Sequence, residues 1–245
     1  MDVAQVLSEA FPMLLRGLGV TVQITVASLV VAVLLGLLSC LMGLSSVAVL
    51  RWISKTYVWL IRGTPLLVQV FFVYFGFPQL VQSIGHSMSG AADAGSFSLI
   101  VGGALENFRI SAFAASLLTL SLNAGAYMSE IFRGGIQAVP PGQMEAARSL
   151  GLSKGRAMYR VILPQAFRIC TPSLVNQFII TLKDTSIVSI ISLQEIVYSA
   201  RIYIGRTMLS FGTWIVVGAM YLLVITVLSF LSRYVEKRLD NGYKV

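Results

Sequence analysis

Long apolar runs alternate with short polar segments along the chain, and each run is long enough to cross a lipid bilayer. A helix needs about 20 mostly apolar residues for one crossing. In the first run Ala32 and Gly36 lie four residues apart, a spacing of small residues that lets helices pack closely. The pattern predicts an all-α integral membrane fold with five transmembrane helices, at about residues 17–44, 54–77, 110–132, 169–191 and 211–234.

The polar segments predict a break, a loop and a surface helix. Arg62-Gly63-Thr64-Pro65 interrupts the second run, and its proline favours a kink or the first turn of a new helix. Residues 82–107 are rich in glycine, serine and alanine, which predicts an extracytoplasmic loop with at most a short surface helix. Residues 192–209 are amphipathic with mixed charge, which predicts a short interfacial helix.

Composition and charge place the chain in a membrane and orient it. Hydrophobic residues make up 56% of the sequence and charged residues 11%, so lipid must cover part of the surface. The net charge is +8, but the basic residues lie in short loops between apolar runs, which argues against a nucleic-acid partner. Lysine and arginine concentrate in residues 45–62, in residues 133–168 and in the tail. The positive-inside rule therefore predicts a cytoplasmic 133–168 loop, a cytoplasmic C-terminus and an N-terminus outside.

The residue types needed for catalysis or metal binding are scarce. Cys40 and Cys170 both lie in apolar surroundings and have neither a disulfide framework nor metal-ligand spacing, and His86 is the single histidine. The sequence contains no Gly-x-x-x-x-Gly-Lys-Ser/Thr phosphate loop. We therefore expect one membrane-embedded domain over residues 1–245, without catalytic residues, metal or bound cofactor.

The most informative polar segment is the loop 133–168. Pro140-Pro141-Gly142 ends the third run, and residues 143–150 are good helix formers. Gly151 favours a left-handed helix end, and Ser153 can cap a second helix that carries an apolar edge and basic flanks. This helix–glycine–helix pattern suits either docking into a groove on a partner or contact with anionic lipid headgroups.

The loop resembles the EAA loop of ABC importer permeases. Glu145-Ala146-Ala147, Gly151 and Val161-Ile162-Leu163-Pro164 match that motif in spacing throughout, with valine in place of its first isoleucine. Residues 62–67, 122–139 and 182–186 are similar to the polar amino-acid subfamily of these permeases, which handles histidine, glutamine, glutamate, arginine or cystine. The similarity covers nearly the whole chain and is weakest over residues 82–107. It implies a type I ABC importer permease-like fold in a bacterial inner membrane.

The resemblance also implies partners. Family members pair as two like or unlike permease subunits, bind a dimer of cytoplasmic ATPase subunits that carry ATP–Mg, and receive substrate from an extracytoplasmic solute-binding protein. Each ATPase grips one EAA loop, so residues 133–168 are expected to couple ATPase motion to the transmembrane helices. The residues expected in this role are Glu145, Ala146, Ala147, Gly151, Ser153, Lys154, Arg156, Met158 and Arg160.

Polar side chains inside the apolar runs are costly in lipid and usually face a partner or a water-filled path. Helical spacing puts several of them on shared faces of the third and fourth runs, and a charged neighbouring pair could meet the ammonium and carboxylate of an amino acid. The alternative is an ion pair, or packing, that only fixes helix geometry. The candidate substrate-path residues are Asn123, Tyr127, Gln177, Thr181, Lys183 and Asp184.

These observations favour a permease subunit of an ATP-driven importer for a polar amino acid. A secondary amino-acid transporter or channel is the alternative, although such a protein would be expected to have more spans or inverted repeats. A membrane scaffold without a transport path is a third possibility, and it would tolerate alanine at the polar positions of the runs.

Overall fold

The computed structural model describes residues 3–90 and 96–240, and within those ranges every regular element is helical. Two π-helical turns and one 3₁₀ segment interrupt the α-helices. In chain order the elements are α1 (Val3–Glu9), α2 (Phe11–Leu44), α3 (Ala48–Arg62), α4 (Leu66–Phe71), a π turn (Phe72–Gly76), α5 (Phe77–Ser89), α6 (Ser96–Glu106), α7 (Ala112–Ala138), α8 (Pro141–Ser149), α9 (Lys154–Ala157), a π turn (Met158–Ile162), α10 (Leu163–Asp184), a 3₁₀ segment (Thr185–Ile191), α11 (Ile196–Thr207) and α12 (Ser210–Asp240).

Helices α2 and α7 form the centre of the bundle, packed through small residues. A Cβ added at Gly36 would lie only 2.8 Å from the Met128 Cβ, so only glycine permits this approach. Across the same contact the Ser129 hydroxyl donates to the Ser39 hydroxyl at 3.0 Å, and the Ser121 hydroxyl donates to the Ser28 carbonyl at 3.2 Å. The predicted close packing of small residues is confirmed.

Four described helical stretches are long and apolar enough to cross a membrane, rather than the five predicted. They are Phe11–Leu44, Leu66–Ser89, Lys154–Ile191 and Ser210–Phe230. The predicted third span, at about residues 110–132, corresponds to α7, which has 27 residues but many small and polar ones. About half of α7 is buried within the protein, so this helix does not need the apolar surface that lipid contact demands.

The second span begins later than predicted. Residues 54–62 belong to α3, and the chain breaks at Gly63–Pro65 before a new helix begins at Leu66. Pro65 lacks an N–H and fixes its own φ, so it suits the residue just before a first turn. The continuous helical stretch then reaches Ser89, well past the predicted end at residue 77.

Each π turn ends two residues before a proline. The turn Phe72–Gly76 precedes Pro78, and the turn Met158–Ile162 precedes Pro164. A proline inside a helix removes one hydrogen bond and clashes with the carbonyl four residues earlier, and a widened turn relieves both problems. The helix therefore continues through Pro164, and the fourth span begins before the predicted residue 169.

Residues 82–107 are more ordered than the predicted loop. They lie largely in α5 and α6, which pack closely against each other, and positions 91–95 lie outside the described residues. At the contact, a Cβ on Gly85 would lie 2.7 Å from the Gly102 carbonyl oxygen. The glycines that suggested an irregular loop instead allow two helices to touch.

The predicted interfacial helix over residues 192–209 forms as α11. Its inner face is buried, with Ile196, Ala200 and Tyr203 packed into a core cluster with residues of α1, α2 and α12. Arg201 and Arg206 lie on its exposed face. The amphipathic pattern therefore reflects packing against protein on one side.

Candidate functional site

Helices α8 and α9 and the turn between them, residues 141–157, form what we call the EAA hairpin. Gly151 has φ +82°, the left-handed conformation that was predicted for it. Its N–H donates to the Arg148 carbonyl at 3.0 Å, and the Leu152 N–H donates to the Ala147 carbonyl at 3.2 Å. These two bonds define a Schellman motif, which ends α8 and reverses the chain.

Most of the predicted coupling residues lie on the surface of this hairpin. The exceptions are Ala147, which is buried, and Met158, which is half-buried; Ala157 of α9 is also buried. Small residues at positions 147 and 157 let α8 and α9 pack. The exposed predicted residues are Glu145, Ala146, Gly151, Ser153, Lys154, Arg156 and Arg160.

The apolar edge predicted for the second helix does not face outward. Met158 is half-buried and packs with Val161 on the cluster formed by Val139, Ile162 and Ala166 at the end of α7. The outward apolar side chains are instead Leu150, which is 84% exposed, and Tyr159, which is 74% exposed. Sequence reasoning missed both, although each interrupts an otherwise polar face.

The second helix of the hairpin is the beginning of a long membrane helix. Ser153 occupies the position before Lys154, but its side chain makes no capping hydrogen bond. From Lys154 a continuous helical stretch, which includes the π turn and ends in the 3₁₀ segment, reaches Ile191. This stretch connects the hairpin to Gln177, Thr181 and Asp184 in its far half.

Asn123 belongs to a buried network that we call the amide bracket. The Asn123 Nδ2 donates to the Gln69 Oε1 at 3.0 Å, and both residues are buried. The Gln69 Nε2 in turn donates to the Ile61 carbonyl at 2.7 Å and to the Thr64 hydroxyl at 2.9 Å. The bracket thus ties the broken junction between α3 and α4 to the middle of α7.

Tyr127 lies one turn further along α7, beside the charged end of α3. The Arg62 guanidinium lies over the Tyr127 ring, 5.3 Å from its centroid, and 3.5 Å from the Glu130 carboxylate. The Arg133 Nε also donates to Glu130, at 3.1 Å. Asn123, Tyr127 and Glu130 therefore lie on one face of α7, and this face contacts the junction between α3 and α4.

The polar positions of α10 lie apart from this face. Gln177 and Thr181 are buried and hydrogen-bond each other, the Thr181 hydroxyl donating to the Gln177 carbonyl at 2.9 Å. Among the described residues, no Lys183 nitrogen lies within 4.0 Å of an Asp184 carboxylate oxygen. Lys183 is exposed and borders a cavity of about 240 Å³, and Asp184 is half-buried.

Comparison with known proteins decides the family. The model of the family described as "Binding-protein-dependent transport system inner membrane component" matches residues 32–241. The chain belongs to this family. The predicted resemblance and the inner-membrane location are thereby confirmed, and the chain is a permease component.

Relatives of this permease match it over nearly its full length. The arginine transport system permease protein ArtQ of Bacillus subtilis (strain 168) is 34% identical over 94% of this chain and 94% of its own. The L-cystine transport system permease protein TcyB of the same organism is 35% identical over 94% of this chain and 88% of its own. The crystal structure of an amino acid ABC transporter with histidines superposes with a TM-score of 0.83 at 34% identity, over 97% of this chain and 99% of that one.

The permease also has a fully buried carboxyl group that sequence reasoning missed. Glu195 caps α11, accepting from the Tyr198 N–H at 2.6 Å, and lies 3.5 Å from the hydroxyls of Thr21 and Tyr221. Burial raises the pKa of Glu195 to about 7. Its sequence signal was weak, because a single acid in an amphipathic segment reads as a surface residue. The side chain instead joins α2, α11 and α12.

Proposed function

We propose that this chain is the permease subunit of an ATP-driven importer for a polar amino acid. The observation that carries the proposal is the full-length match to permeases named for arginine and cystine transport. Both of those substrates carry an ammonium and a carboxylate, so a path for them needs polar partners inside the membrane. The polar faces of α7 and α10 supply such partners.

The proposed topology has five crossings, which are the four long apolar stretches and, third in chain order, α7. At about 1.5 Å per residue, its 27 residues reach about 40 Å, which exceeds the hydrocarbon thickness of a bilayer. Burial against α2 and α10 shields its polar side chains from lipid. With five crossings, the concentration of basic residues puts the N-terminus outside and the EAA hairpin and C-terminus in the cytoplasm.

The proposed assembly divides the work among several chains. A dimer of ATPase subunits binds and hydrolyses ATP–Mg, and this chain, which lacks the phosphate-loop sequence, is not catalytic. A second permease subunit, identical or homologous, completes the path, and a solute-binding protein delivers the substrate outside. One domain, residues 1–245, carries both the path and the coupling loop 133–168.

The proposed coupling step is mechanical. The ATPase grips the exposed residues of the EAA hairpin and of the π turn that follows it, with Leu150 and Tyr159 as the apolar anchors. Approach of the two ATPases moves both hairpins, and the unbroken helical stretch from Lys154 to Ile191 carries that motion into the membrane. Two packings of the bundle would then alternate access to the path.

The proposed path uses the six predicted polar residues. Lys183 and Asp184 would meet the substrate carboxylate and ammonium, because they are neighbours of opposite charge and Lys183 borders the cavity of about 240 Å³. Asn123, Tyr127, Gln177 and Thr181 would provide hydrogen-bond partners along the way. A scaffold without a path would need none of these side chains.

The decisive experiment is uptake of radiolabelled amino acids by the complete complex in proteoliposomes. We expect uptake that requires internal ATP and the binding protein, and that survives ionophores which collapse ion gradients. Uptake that stops with the gradient but persists without ATP would instead indicate a secondary transporter. A panel of arginine, histidine, glutamine, glutamate and cystine identifies the substrate.

A companion variant tests the path. Asp184→Asn should reduce uptake strongly while the assembled complex stays intact, and the matched Ser186→Ala change, on the same helical end, should leave uptake unchanged. Normal uptake by an Asp184→Asn complex would remove Asp184 from the path while leaving the transport function in place.

A further inference from the structure

A second cavity lies where α2, α3 and α7 meet, and none of the six proposed path residues lines it. Its volume is about 500 Å³. Ser39 and Gly43 of α2 and Ser54 of α3 form a narrow floor, where the Ser54 hydroxyl donates to the Ser39 carbonyl at 2.7 Å. None of the nine named coupling residues lines this cavity.

The walls of the cavity are positively charged. Arg51, Lys55 and Arg133 line it together with a single carboxylate, Glu130. That carboxylate is already paired with Arg133 and with Arg62, which lies outside the cavity lining. Three cations against one paired carboxylate leave the cavity with an excess of positive charge.

Two of the cations are positioned to receive an anion. The Arg51 guanidinium is held by one nitrogen, which donates to the carbonyls of Ser45 and Ser46 at 2.9 and 2.7 Å, so its other nitrogens are left to bind. Within the residues that the structure describes, the Lys55 ammonium has no hydrogen-bond or ion-pair partner. An anion in the cavity would neutralise both.

The rim of the cavity is apolar and aromatic. Trp59 lines the cavity and is 74% exposed, and Trp52 on the same helix is 68% exposed. Leu44 continues the apolar rim at the end of α2. Tryptophan is enriched where a membrane meets water, because its ring is apolar and its N–H needs a polar partner. The rim therefore suits acyl chains beside a charged headgroup.

We propose that this cavity binds the phosphate headgroup of an anionic phospholipid, such as phosphatidylglycerol, with its acyl chains along α3 and Trp59. Basic pockets between membrane helices are suited to such headgroups. A soluble phosphate shares the charge but gains nothing from the apolar rim. The lipid site does not depend on the proposed transport function. The proposed membrane orientation enters only in placing the lipid in the inner leaflet.

The test measures lipid binding by the quenching of Trp59 fluorescence. The chain has three tryptophans, so Trp52→Phe and Trp214→Phe leave Trp59 as its only tryptophan. A matched complex that also carries Trp59→Phe measures the fluorescence of the partner chains, which is subtracted. The complex is reconstituted in phosphatidylcholine vesicles that contain either dibrominated phosphatidylglycerol or dibrominated phosphatidylcholine. We expect brominated phosphatidylglycerol to quench Trp59 fluorescence more strongly than brominated phosphatidylcholine. The preference for phosphatidylglycerol should be about tenfold lower in the double variant Arg51→Gln with Lys55→Gln.

Controls separate the site from bulk electrostatics. Arg201→Gln with Arg206→Gln removes the same charge from the exposed face of α11 and should leave the preference unchanged. Arg51→Lys with Lys55→Arg keeps the charge and should keep most of the preference. If the glutamine variant fails to assemble, raising the salt concentration on the parent protein replaces it, because screening should weaken the same preference.

Three outcomes would overturn the proposal. Equal quenching by the two brominated lipids would mean that no anionic headgroup is selected. Relief of quenching by millimolar inorganic phosphate, but not by matched chloride, would assign the site to a soluble anion. Loss of a partner subunit in the glutamine variant, with the lipid preference intact, would make the cavity a protein contact.

Discussion

The EAA hairpin is exposed and is held by bonds between near neighbours, such as Leu152 to Ala147, whereas the amide bracket is buried and joins residues 54 positions apart. Both are polar segments of a mainly apolar chain. The hairpin stays polar because it meets water and, we propose, a partner. The bracket can be polar only because each amide finds its partner inside the protein. Changes in the hairpin should therefore affect coupling, and changes in the bracket should affect stability.

The largest expected effect comes from Gly151→Pro. Proline cannot adopt φ +82°, and it removes the N–H that bonds Arg148, so the hairpin turn cannot form. We expect loss of ATPase co-purification and of ATP-dependent uptake, with normal membrane insertion. Pull-down of the tagged permease, followed by quantification of the ATPase, measures the result.

The matched control for this change is Gly155→Ala in the same hairpin. A Cβ at Gly155 meets open space and its backbone is not left-handed, so alanine should be tolerated with full ATPase recovery. The ATPase recovery of Gly151→Ala should lie between those of Gly151→Pro and Gly155→Ala, since a left-handed non-glycine residue costs about 1–2 kcal/mol. Wild-type recovery of the ATPase with Gly151→Pro would refute the docking role of the turn.

Breaking the amide bracket should lower the free energy of unfolding and should have a smaller effect on ATPase docking. Gln69→Leu removes the hydrogen bonds from the Gln69 side chain to Ile61 and Thr64 and leaves the buried Asn123 amide without its partner. At about 1 kcal/mol per bond, plus the cost of an unsatisfied amide, the loss should be about 4 kcal/mol. Thermal unfolding in detergent measures it. Gln82→Leu, which removes one part-buried amide bond to Phe108, is the control and should cost about 1 kcal/mol.

The sequence specified the hairpin better than the interior because the hairpin's determinants are local. Pro141, Gly151 and the EAA spacing encode a turn whose conformation depends on residues a few positions away. The contact of Gln69 with Asn123 depends on how α4 and α7 are placed, which no short pattern encodes. The α5–α6 pair was missed for the same reason, since its glycines become packing residues only when another helix is present.

The hydropathy of α7 also differs from that of the other predicted spans. The five predicted crossings came from apolar runs, yet α7 is rich in small and polar residues because its neighbours are mostly protein. Conversely, Glu195 was read as part of a surface segment but is fully buried, since Thr21 and Tyr221 come from distant parts of the chain. Periodicity identifies helices, whereas the environment of each helix depends on its neighbours.

Glu195 predicts a pH dependence of stability. Its folded pKa is about 7, above the ordinary value of 4.5, so the folded state holds the proton more tightly than the unfolded state. The contribution of Glu195 to stability should therefore be fully present below about pH 4.5 and be lost as the pH rises through 7, by about 3 kcal/mol. Glu195→Gln keeps an acceptor for the Tyr198 N–H but removes the titration. Its unfolding temperature should vary less between pH 5 and 8 than that of the parent, and an unchanged slope would mean that other groups cause the dependence.

The smallest effect is expected where α3 meets α7, at Arg62 and Tyr127. Their contact is partly exposed, so Tyr127→Leu should cost only about 0.5–1 kcal/mol, and Tyr127→Phe, which keeps the ring, should cost less. A double-mutant cycle with Arg62→Met isolates the pair, because Arg62 also contacts Glu130. An uptake measurement distinguishes a packing role of Tyr127 from a role in transport. If the Tyr127 hydroxyl contacts substrate, Tyr127→Phe should reduce uptake at unchanged stability, whereas normal uptake would make Tyr127 a packing residue only.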